Sequence, residues 1–319
     1  MEVIVISSVL QPEHIKLIED TAAKTGARVC FAENENDVPD DFKDAEVVYG
    51  FGMNIAKTSK SLKWLCVPSA GVDYLMKPGT FANEECLLTN SSGAYGVTIA
   101  EHIIAVSLMM MRKLTVTYAE VLEGKWGKAK PQKSLKDCHI TVLGTGDIGR
   151  NFARRARSFE PAALTGVCRS GICDEAAFDR VLRTEELDDI LKETELLVMS
   201  LPDTHETRGI LTGKRMEMMP EGSYIVNVGR GSAIDEDALA ALLEKEHLAG
   251  AALDVFKTEP LPVDSPLWRT KNLLITPHVA GNLTLKHTLD RNVEMFCEDM
   301  INYSKGLPLK YLVDRSAGY

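Results

Sequence analysis

Three polar residues each follow a short apolar run in the second half of this 319-residue chain. Arg230 follows "SYIVNVG", Glu259 follows "AALDVF" and His278 follows "NLLITP". Such runs are typical of buried parallel strands, whose carboxyl ends meet at one ligand-binding edge of an open sheet. A guanidinium holds a carboxylate or a polarised carbonyl by two hydrogen bonds, and an imidazole supported by a carboxylate exchanges a proton. The pattern therefore predicts a substrate clamp beside an acid/base.

Each of these residues has a simpler interpretation when it is taken alone. Arg230 could equally be a solvated loop arginine, and a single histidine in an apolar run is more often structural. The three matching strand ends favour the catalytic interpretation. We interpret Gly229 and Gly231, which flank Arg230, as room for a cofactor and a substrate to approach the backbone.

A glycine-rich turn comes earlier, in "VLGTGDIG" at 142–149. A strand precedes the turn and a helix follows it, as a dinucleotide site requires. Glycines there allow a tight turn and close approach of pyrophosphate to the helix N-terminus. An ordinary glycine-rich turn is the alternative. The stretch predicts a nucleotide site that includes Gly144, Gly146, Asp147, Ile148 and Gly149.

The end of the next strand bears on the choice of cofactor. NAD sites commonly carry a carboxylate there, for the ribose 2′-hydroxyl. This chain instead reads "GVCRSG", with Cys168 at that position and Arg169 and Ser170 after it. A cation and a hydroxyl suit a 2′-phosphate, so the sequence favours NADPH over NADH.

The elements that must position these groups alternate between β-rich and helical runs along the chain. One series begins with "EVIVIS" at 2–7 and a second with "HITVLG" at 139, and a helical pattern runs from about 285. This alternation predicts an α/β fold with doubly wound parallel sheets in two domains.

Composition excludes several classes of partner. The net charge of −10 argues against nucleic acid and anionic membranes. The apolar run "IIAVSLMMM" at 103–111 is about half of a membrane span. Seven scattered cysteines without metal-ligand spacing predict reduced thiols, no metal site and a cytoplasmic location.

Taken in order, five motifs resemble the D-isomer-specific 2-hydroxyacid dehydrogenase family over nearly the whole chain: "GTGDIG", "LPDTHETRGIL", "NVGRGSAIDEDAL", "ALDVFKTEPLP" and "TPHVAG". The resemblance implies that Arg230 binds the substrate carboxylate and carbonyl, that His278 exchanges the proton at the 2-oxygen and that Glu259 supports His278. It implies two Rossmann-like domains, with a nucleotide domain at 96–284 inserted into a substrate domain at 1–95 plus 285–319. It also implies a homodimer formed through the long helix near 98–113.

The resemblance extends to further binding residues. It implies that the backbone amides of Ala70 and Gly71, in "PSAGVD", hold the substrate carboxylate. It assigns the remaining contacts to the cofactor: Thr98, Leu201, Pro202, Thr207, Val228 and Asp254.

The expected activity is reduction of a small 2-keto acid, or oxidation of the 2-hydroxy acid, with NADPH or NADH. The sequence does not choose among glyoxylate, hydroxypyruvate and larger keto acids. Two alternatives stay open: a non-enzymatic NAD(H)-sensing protein related to corepressors, and a dehydrogenase of formate or phosphite.

Overall fold

The computed structural model describes residues 1–315 and contains two compact units. Unit 1 comprises Met1–Tyr95 and the chain from Asn282 onward, and unit 2 comprises Gly96–Gly281. The chain therefore leaves unit 1, completes unit 2 and returns. Each unit has its own parallel sheet, which confirms the predicted α/β class.

The strands in chain order are β1 (Glu2–Ile6), β2 (Arg28–Ala32), β3 (Val47–Tyr49), β4 (Trp64–Cys66), β5 (Leu87–Thr89), β6 (His139–Leu143), β7 (Ala163–Cys168), β8 (Arg180–Arg183), β9 (Leu196–Met199), β10 (Ser223–Asn227), β11 (Leu248–Leu253) and β12 (Leu273–Ile275). The helices are α1 (Pro12–Thr25), α2 (Met53–Thr58), α3 (Gly96–Met111), α4 (Leu114–Leu122), α5 (Asp147–Ala156), α6 (Leu187–Leu191), α7 (Gly213–Glu217), α8 (Glu236–Glu244) and α9 (Lys286–Ser304).

Unit 1 is built on a five-stranded sheet with the order β2-β1-β3-β4-β5. The returning helix α9 packs against α1. Phe296 of α9 lies against the rings of Tyr49 and Trp64, with centroids 4.7 and 5.5 Å away. These aromatic contacts fix the C-terminal helix to the sheet formed by the first 95 residues.

Unit 2 is built on a seven-stranded sheet with the order β12-β11-β10-β9-β6-β7-β8. The inner strands are almost fully buried, as their continuous apolar sequences require. The strand order changes direction at β6, between β9 and β7, and such a switch point creates a crevice for a ligand. The strands β10, β11 and β12 are neighbours, so their carboxyl ends lie side by side.

Two strands and one helix are among the elements that differ from the sequence expectation. The edge strand β8 has the sequence "RVLR", whose exposed arginines hide the apolar pattern of a strand. The strand β11 begins at Leu248, before the "AALDVF" run that predicted it. After α3 the chain continues as α4, none of whose residues is buried. Among residues 1–315, we find no helix of the length and apolarity that crossing a membrane requires.

Candidate active site

The turn after β10 carries Arg230 between two tightly packed glycines. A side chain at Gly229 would come within 2.6 Å of the Leu201 backbone, and one at Gly231 would overlap the backbone of Phe256. The expectation that these glycines leave room for ligands is therefore incomplete, because protein backbone already occupies the space beside both. The glycines allow the Arg230 turn to lie directly against the loops after β9 and β11.

Asn227, the last residue of β10, holds this turn in shape. Its side chain is fully buried, accepts a hydrogen bond from the Gly229 amide at 3.0 Å and donates one to the Arg230 carbonyl at 2.9 Å. The Arg230 guanidinium donates to the Gly229 carbonyl at 2.8 Å. Sequence reasoning missed Asn227, although an amide within an apolar strand is an available signal of a buried polar role.

His278 and Glu259 form a hydrogen-bonded pair beyond β12 and β11. His278 Nδ1 lies 2.6 Å from Glu259 Oε2, and the side chains are 52% and 34% exposed. The other Glu259 oxygen accepts from the Phe256 amide at 2.8 Å, which fixes the carboxylate. A carboxylate on Nδ1 sets the tautomer and leaves Nε2 for a reacting group. The pair therefore has the geometry of a supported acid/base.

Asp254 lies just beyond β11 and is 3% exposed. Its carboxylate accepts hydrogen bonds from the amides of Val279 and Ala280, at 2.9 and 3.0 Å. Within residues 1–315 its carboxylate bonds to the loop that carries His278, and its predicted contact with nicotinamide stays a prediction. The carboxylate thus joins the ends of β11 and β12.

The glycine-rich turn after β6 has the shape that a dinucleotide requires. Gly144 has φ +104°, and a side chain there would come within 2.9 Å of the Ser200 carbonyl. A side chain at Gly149 would overlap the Gly144 carbonyl, whereas space is open around Gly146. The helix α5 starts at Asp147, so its free amides face this open space. These residues fit a pyrophosphate.

The loop after β9 contains Leu201, Pro202 and Thr207, all half-buried. The Thr207 hydroxyl donates to the Pro202 carbonyl at 2.6 Å and accepts from the Thr204 amide at 2.9 Å. The hydroxyl therefore shapes the loop. Val228 is buried after β10, and Thr98 is buried in the first turns of α3.

Cys168 ends β7, and Arg169 and Ser170 follow it on an exposed turn. The Arg169 side chain makes no hydrogen bond or ion pair within residues 1–315. The Ser170 hydroxyl contacts the carbonyl of Ile172 at 3.2 Å. An exposed cation at this strand end is available to a cofactor.

The Cys168 thiol is half-buried within this turn. Burial raises its pKa, but hydrogen bonds from Thr145, Ser170 and the backbone amides of Gly171 and Ile172 outweigh that effect and hold the pKa below its ordinary value. The turn therefore stabilises the thiolate form of Cys168 relative to an ordinary cysteine.

Unit 1 contains the predicted substrate loop, "PSAGVD". The Ala70 carbonyl accepts from Asn90 Nδ2 at 2.8 Å, and the Gly71 carbonyl accepts from Ser69 Oγ at 2.9 Å. Neither the Ala70 nor the Gly71 amide donates a hydrogen bond to another of the residues that the structure describes. The carbonyls of Ala70 and Gly71 are thus bonded to side chains, whereas their amides are available as donors.

The site residues of unit 2 converge by topology. Arg230, Glu259 and His278 follow three neighbouring strands, and the Arg230 turn packs against the segment that precedes Glu259. The glycine-rich turn follows β6, two strands from β10. A dinucleotide site, a cation and a carboxylate-supported imidazole thus line the same edge of one sheet.

The sequence resembles a known family and several of its members. Residues 104–280 match the family described as D-isomer specific 2-hydroxyacid dehydrogenase, NAD binding domain. The chain is 30% identical to D-3-phosphoglycerate dehydrogenase of Archaeoglobus fulgidus over 85% of its own length, and it spans about half (49%) of that protein. It is 30% identical to glyoxylate/hydroxypyruvate reductase A of Salmonella newport, over 82% of this chain and 83% of that one.

Solved structures have the same fold. A D-isomer specific 2-hydroxyacid dehydrogenase family protein from Aeromonas salmonicida is 30% identical, with a TM-score of 0.87 over 98% of this chain and 99% of that one. A D-isomer specific 2-hydroxyacid dehydrogenase from Xanthobacter autotrophicus, in complex with NADPH and MES, is 27% identical, with a TM-score of 0.81 over 100% and 99%. The chain therefore belongs to the D-isomer specific 2-hydroxyacid dehydrogenase family, whose members are NAD(P)-dependent oxidoreductases that act on CH–OH donors.

Proposed function

We propose that this protein reduces a small 2-keto acid to the D-2-hydroxy acid, and catalyses the reverse oxidation, with NADPH as the preferred cofactor. The observation that carries the proposal is the 2.6 Å pair of His278 Nδ1 and Glu259 Oε2, on strand ends adjacent to that of Arg230. A bound nicotinamide supplies or accepts the hydride at the substrate C2. The side chains of this protein bind the acid and move the proton.

His278 is the proposed proton donor in the reductive direction. With Glu259 accepting from Nδ1–H, the proton on Nε2 is the one available to the 2-oxygen as negative charge develops there. The carboxylate stabilises the imidazolium before transfer and fixes the ring orientation afterwards. In the oxidative direction the same nitrogen removes the hydroxyl proton.

Arg230 is the proposed electrophilic clamp. Its planar guanidinium would hold the substrate carboxylate and carbonyl by two hydrogen bonds, which polarises the carbonyl toward hydride attack. The Asn227 side chain and the packed glycines fix the backbone from which the guanidinium extends. The available amides of Ala70 and Gly71 are proposed, from the family resemblance, to donate to a substrate carboxylate.

The preference for NADPH is proposed from the turn after β7. Cys168 lacks the carboxylate that binds a 2′-hydroxyl and repels a 2′-phosphate, and Arg169 is exposed and unpaired within residues 1–315. One charge-assisted hydrogen bond contributes about 1.5–3 kcal/mol, or roughly 10- to 150-fold in affinity. The Xanthobacter relative, which was crystallised with NADPH, supports the proposal.

The homodimer is proposed from an apolar surface on α4 and the residues that follow it. Its exposed side chains are Leu114, Val116, Tyr118, Val121, Leu122 and Trp126. Several large apolar side chains that are exposed on one short segment indicate an interaction site. This surface directly follows the predicted dimer helix, so a second copy of the chain is its proposed occupant. Leu122→Glu should lower the mass measured by light scattering to that of a monomer, whereas Glu123→Gln should not.

A panel of keto acids tests the activity. Glyoxylate, hydroxypyruvate, phenylpyruvate and branched 2-keto acids are each offered with NADPH and with NADH, and absorbance at the nicotinamide band reports turnover. Oxidation of formate or phosphite is measured in parallel. We expect turnover of at least one keto acid, faster with NADPH. A folded protein that binds NADPH but reduces none of these acids would contradict the proposal, and turnover of formate or phosphite alone would replace it.

A further inference from the structure

The loop that carries His278 has an unusual backbone conformation. His278 lies in the left-handed region, with φ +54°, where residues other than glycine are uncommon. Its amide donates to the carbonyls of Asp254 and Thr276, at 2.8 and 3.0 Å. The ring of His278 is more than half exposed, so side-chain packing alone does not fix its direction.

Thr276 and Asp254 link this loop to β11. The Thr276 hydroxyl donates to Asp254 Oδ1 at 2.5 Å, the shortest of the contacts that Asp254 makes with the loop. The same carboxylate receives the amides of Val279 and Ala280. Asp254 therefore accepts hydrogen bonds from the loop on both sides of His278. The Thr276 hydroxyl is the side-chain donor among these bonds.

His102, a half-buried histidine on α3, contacts Thr276 through a ring nitrogen. His102 Nε2 is 3.4 Å from Thr276 Oγ1. Because the Thr276 hydroxyl gives its one hydrogen to Asp254, its oxygen can only accept from His102. Burial lowers the pKa of His102, and the Asp254 carboxylate opposes this only in part, so a neutral ring with its proton on Nε2 suits the arrangement.

We propose that Thr276, oriented by His102, is a positioning residue that holds His278 in its catalytic orientation through Asp254. The hydroxyl fixes the start of the loop, and the two amides fix its end, so that His278 keeps its left-handed backbone and its bond to Glu259. The proposed contribution to turnover rests on the proposed function, whereas the loop geometry does not. Neither Thr276 nor His102 is proposed to touch the substrate.

Thr276→Val tests the proposal, because valine keeps the shape of threonine and removes the hydroxyl. A displacement of a reacting group by about 1 Å costs up to roughly 100-fold in rate, so we expect kcat to fall about tenfold. The KM for the keto acid and the Kd for NADPH, measured by fluorescence titration, should stay within about twofold of wild type. Thr276→Ser restores the hydroxyl and should recover most of the lost turnover. Thr270→Val, which removes an exposed hydroxyl elsewhere in unit 2, is the matched control.

Amide hydrogen exchange gives a readout that does not depend on activity. The amides of Val279 and Ala280 should exchange several-fold faster in Thr276→Val than in wild type or Thr276→Ser. If the wild type reduces no keto acid, the proposed function fails, but this exchange measurement still decides the positioning role. Unchanged exchange together with unchanged kcat in Thr276→Val would overturn the proposal.

The His102 pair provides a second test, which also applies if Thr276→Val does not fold. His102→Gln keeps an N–H donor at similar reach, whereas His102→Leu removes it. We expect a loss in kcat of about threefold for leucine and little loss for glutamine. In the double variant with Thr276→Val the leucine should add no further loss, because both changes act through one contact. A tenfold weaker NADPH Kd with normal kcat in Thr276→Val would instead assign the contact to the cofactor.

Discussion

The carboxyl edge of the seven-stranded sheet has two regions that are built differently. Beyond β10–β12, the side chains of Asn227, Asp254 and Glu259 each accept hydrogen bonds from backbone amides and so fix the turns around Arg230 and His278. Beyond β7, Arg169 and Ser170 lie on an exposed turn. The difference agrees with the proposed roles, in which proton transfer needs a fixed geometry and the choice of cofactor needs only a charge within reach. Substitutions in the first region should change turnover, and those in the second should change preference.

The largest expected effect is that of His278→Asn. Loss of the acid/base should lower kcat by about 10²–10⁴-fold while the Kd for NADPH changes little. Stopped-flow measurement of hydride transfer tests the expected loss of turnover, and fluorescence titration tests the expected Kd for NADPH. Turnover near the wild-type level in a folded variant would show that another group moves the proton.

Arg230→Lys is expected to have the next largest effect on turnover. An ammonium group keeps the charge but cannot form two parallel hydrogen bonds, so kcat/KM for the keto acid should fall by roughly 10- to 150-fold. The Kd for NADPH should hardly change. Weak cofactor binding with intact keto-acid kinetics would move Arg230 from the substrate to the cofactor.

Two glycine substitutions sharpen the contrast between packed and open turns. Gly231→Ala should lower the free energy of unfolding by about 1–3 kcal/mol, because the methyl group meets the backbone of Phe256. Gly146→Ala should leave that free energy within about 0.5 kcal/mol, because nothing lies near its side chain. Its methyl group should instead weaken NADPH binding about tenfold. Urea unfolding and fluorescence titration measure both variants, and the reverse pattern would contradict these roles.

Cys168→Asp should leave turnover almost unchanged and alter cofactor preference alone. A carboxylate at the end of β7 should repel the 2′-phosphate and accept from a 2′-hydroxyl, so the ratio of kcat/KM for NADPH to that for NADH should fall about tenfold. Cys168→Ser is the neutral control. A wild type that already prefers NADH tenfold would end the NADPH hypothesis.

The sequence predicted the strand ends well because the signals are local. An apolar run followed by one polar residue marks a buried strand and its carboxyl end, and parallel topology then brings Arg230, Glu259 and His278 to one edge. Some of the contacts that fix those residues were missed because they join distant segments. No local pattern predicts the contact of His102 with Thr276, which are 174 positions apart, or the packing of Gly231 against Phe256.

The exposed edge strand β8 and the helix α4 were missed for a related reason. The arginines of β8 face solvent, and the side chains of α4 face solvent or, as we propose, a second copy of the chain. Their sequences therefore do not show the alternation that a buried face imposes. The spacing of apolar residues in a sequence predicts the elements that pack against the core of the same chain, and it does not predict elements that lie outside that core.

The left-handed backbone of His278 has a practical consequence for capturing bound ligands. Asparagine adopts that conformation more readily than other residues with a side chain of similar size. His278→Asn should therefore preserve the loop while it slows proton transfer, so that keto acid and reduced cofactor stay together unreacted for longer than in the wild type. Crystals of this variant could be soaked with reduced cofactor and each keto acid of the panel in turn. The resulting structures would record the complex before hydride transfer, and the acid that is retained would indicate the substrate.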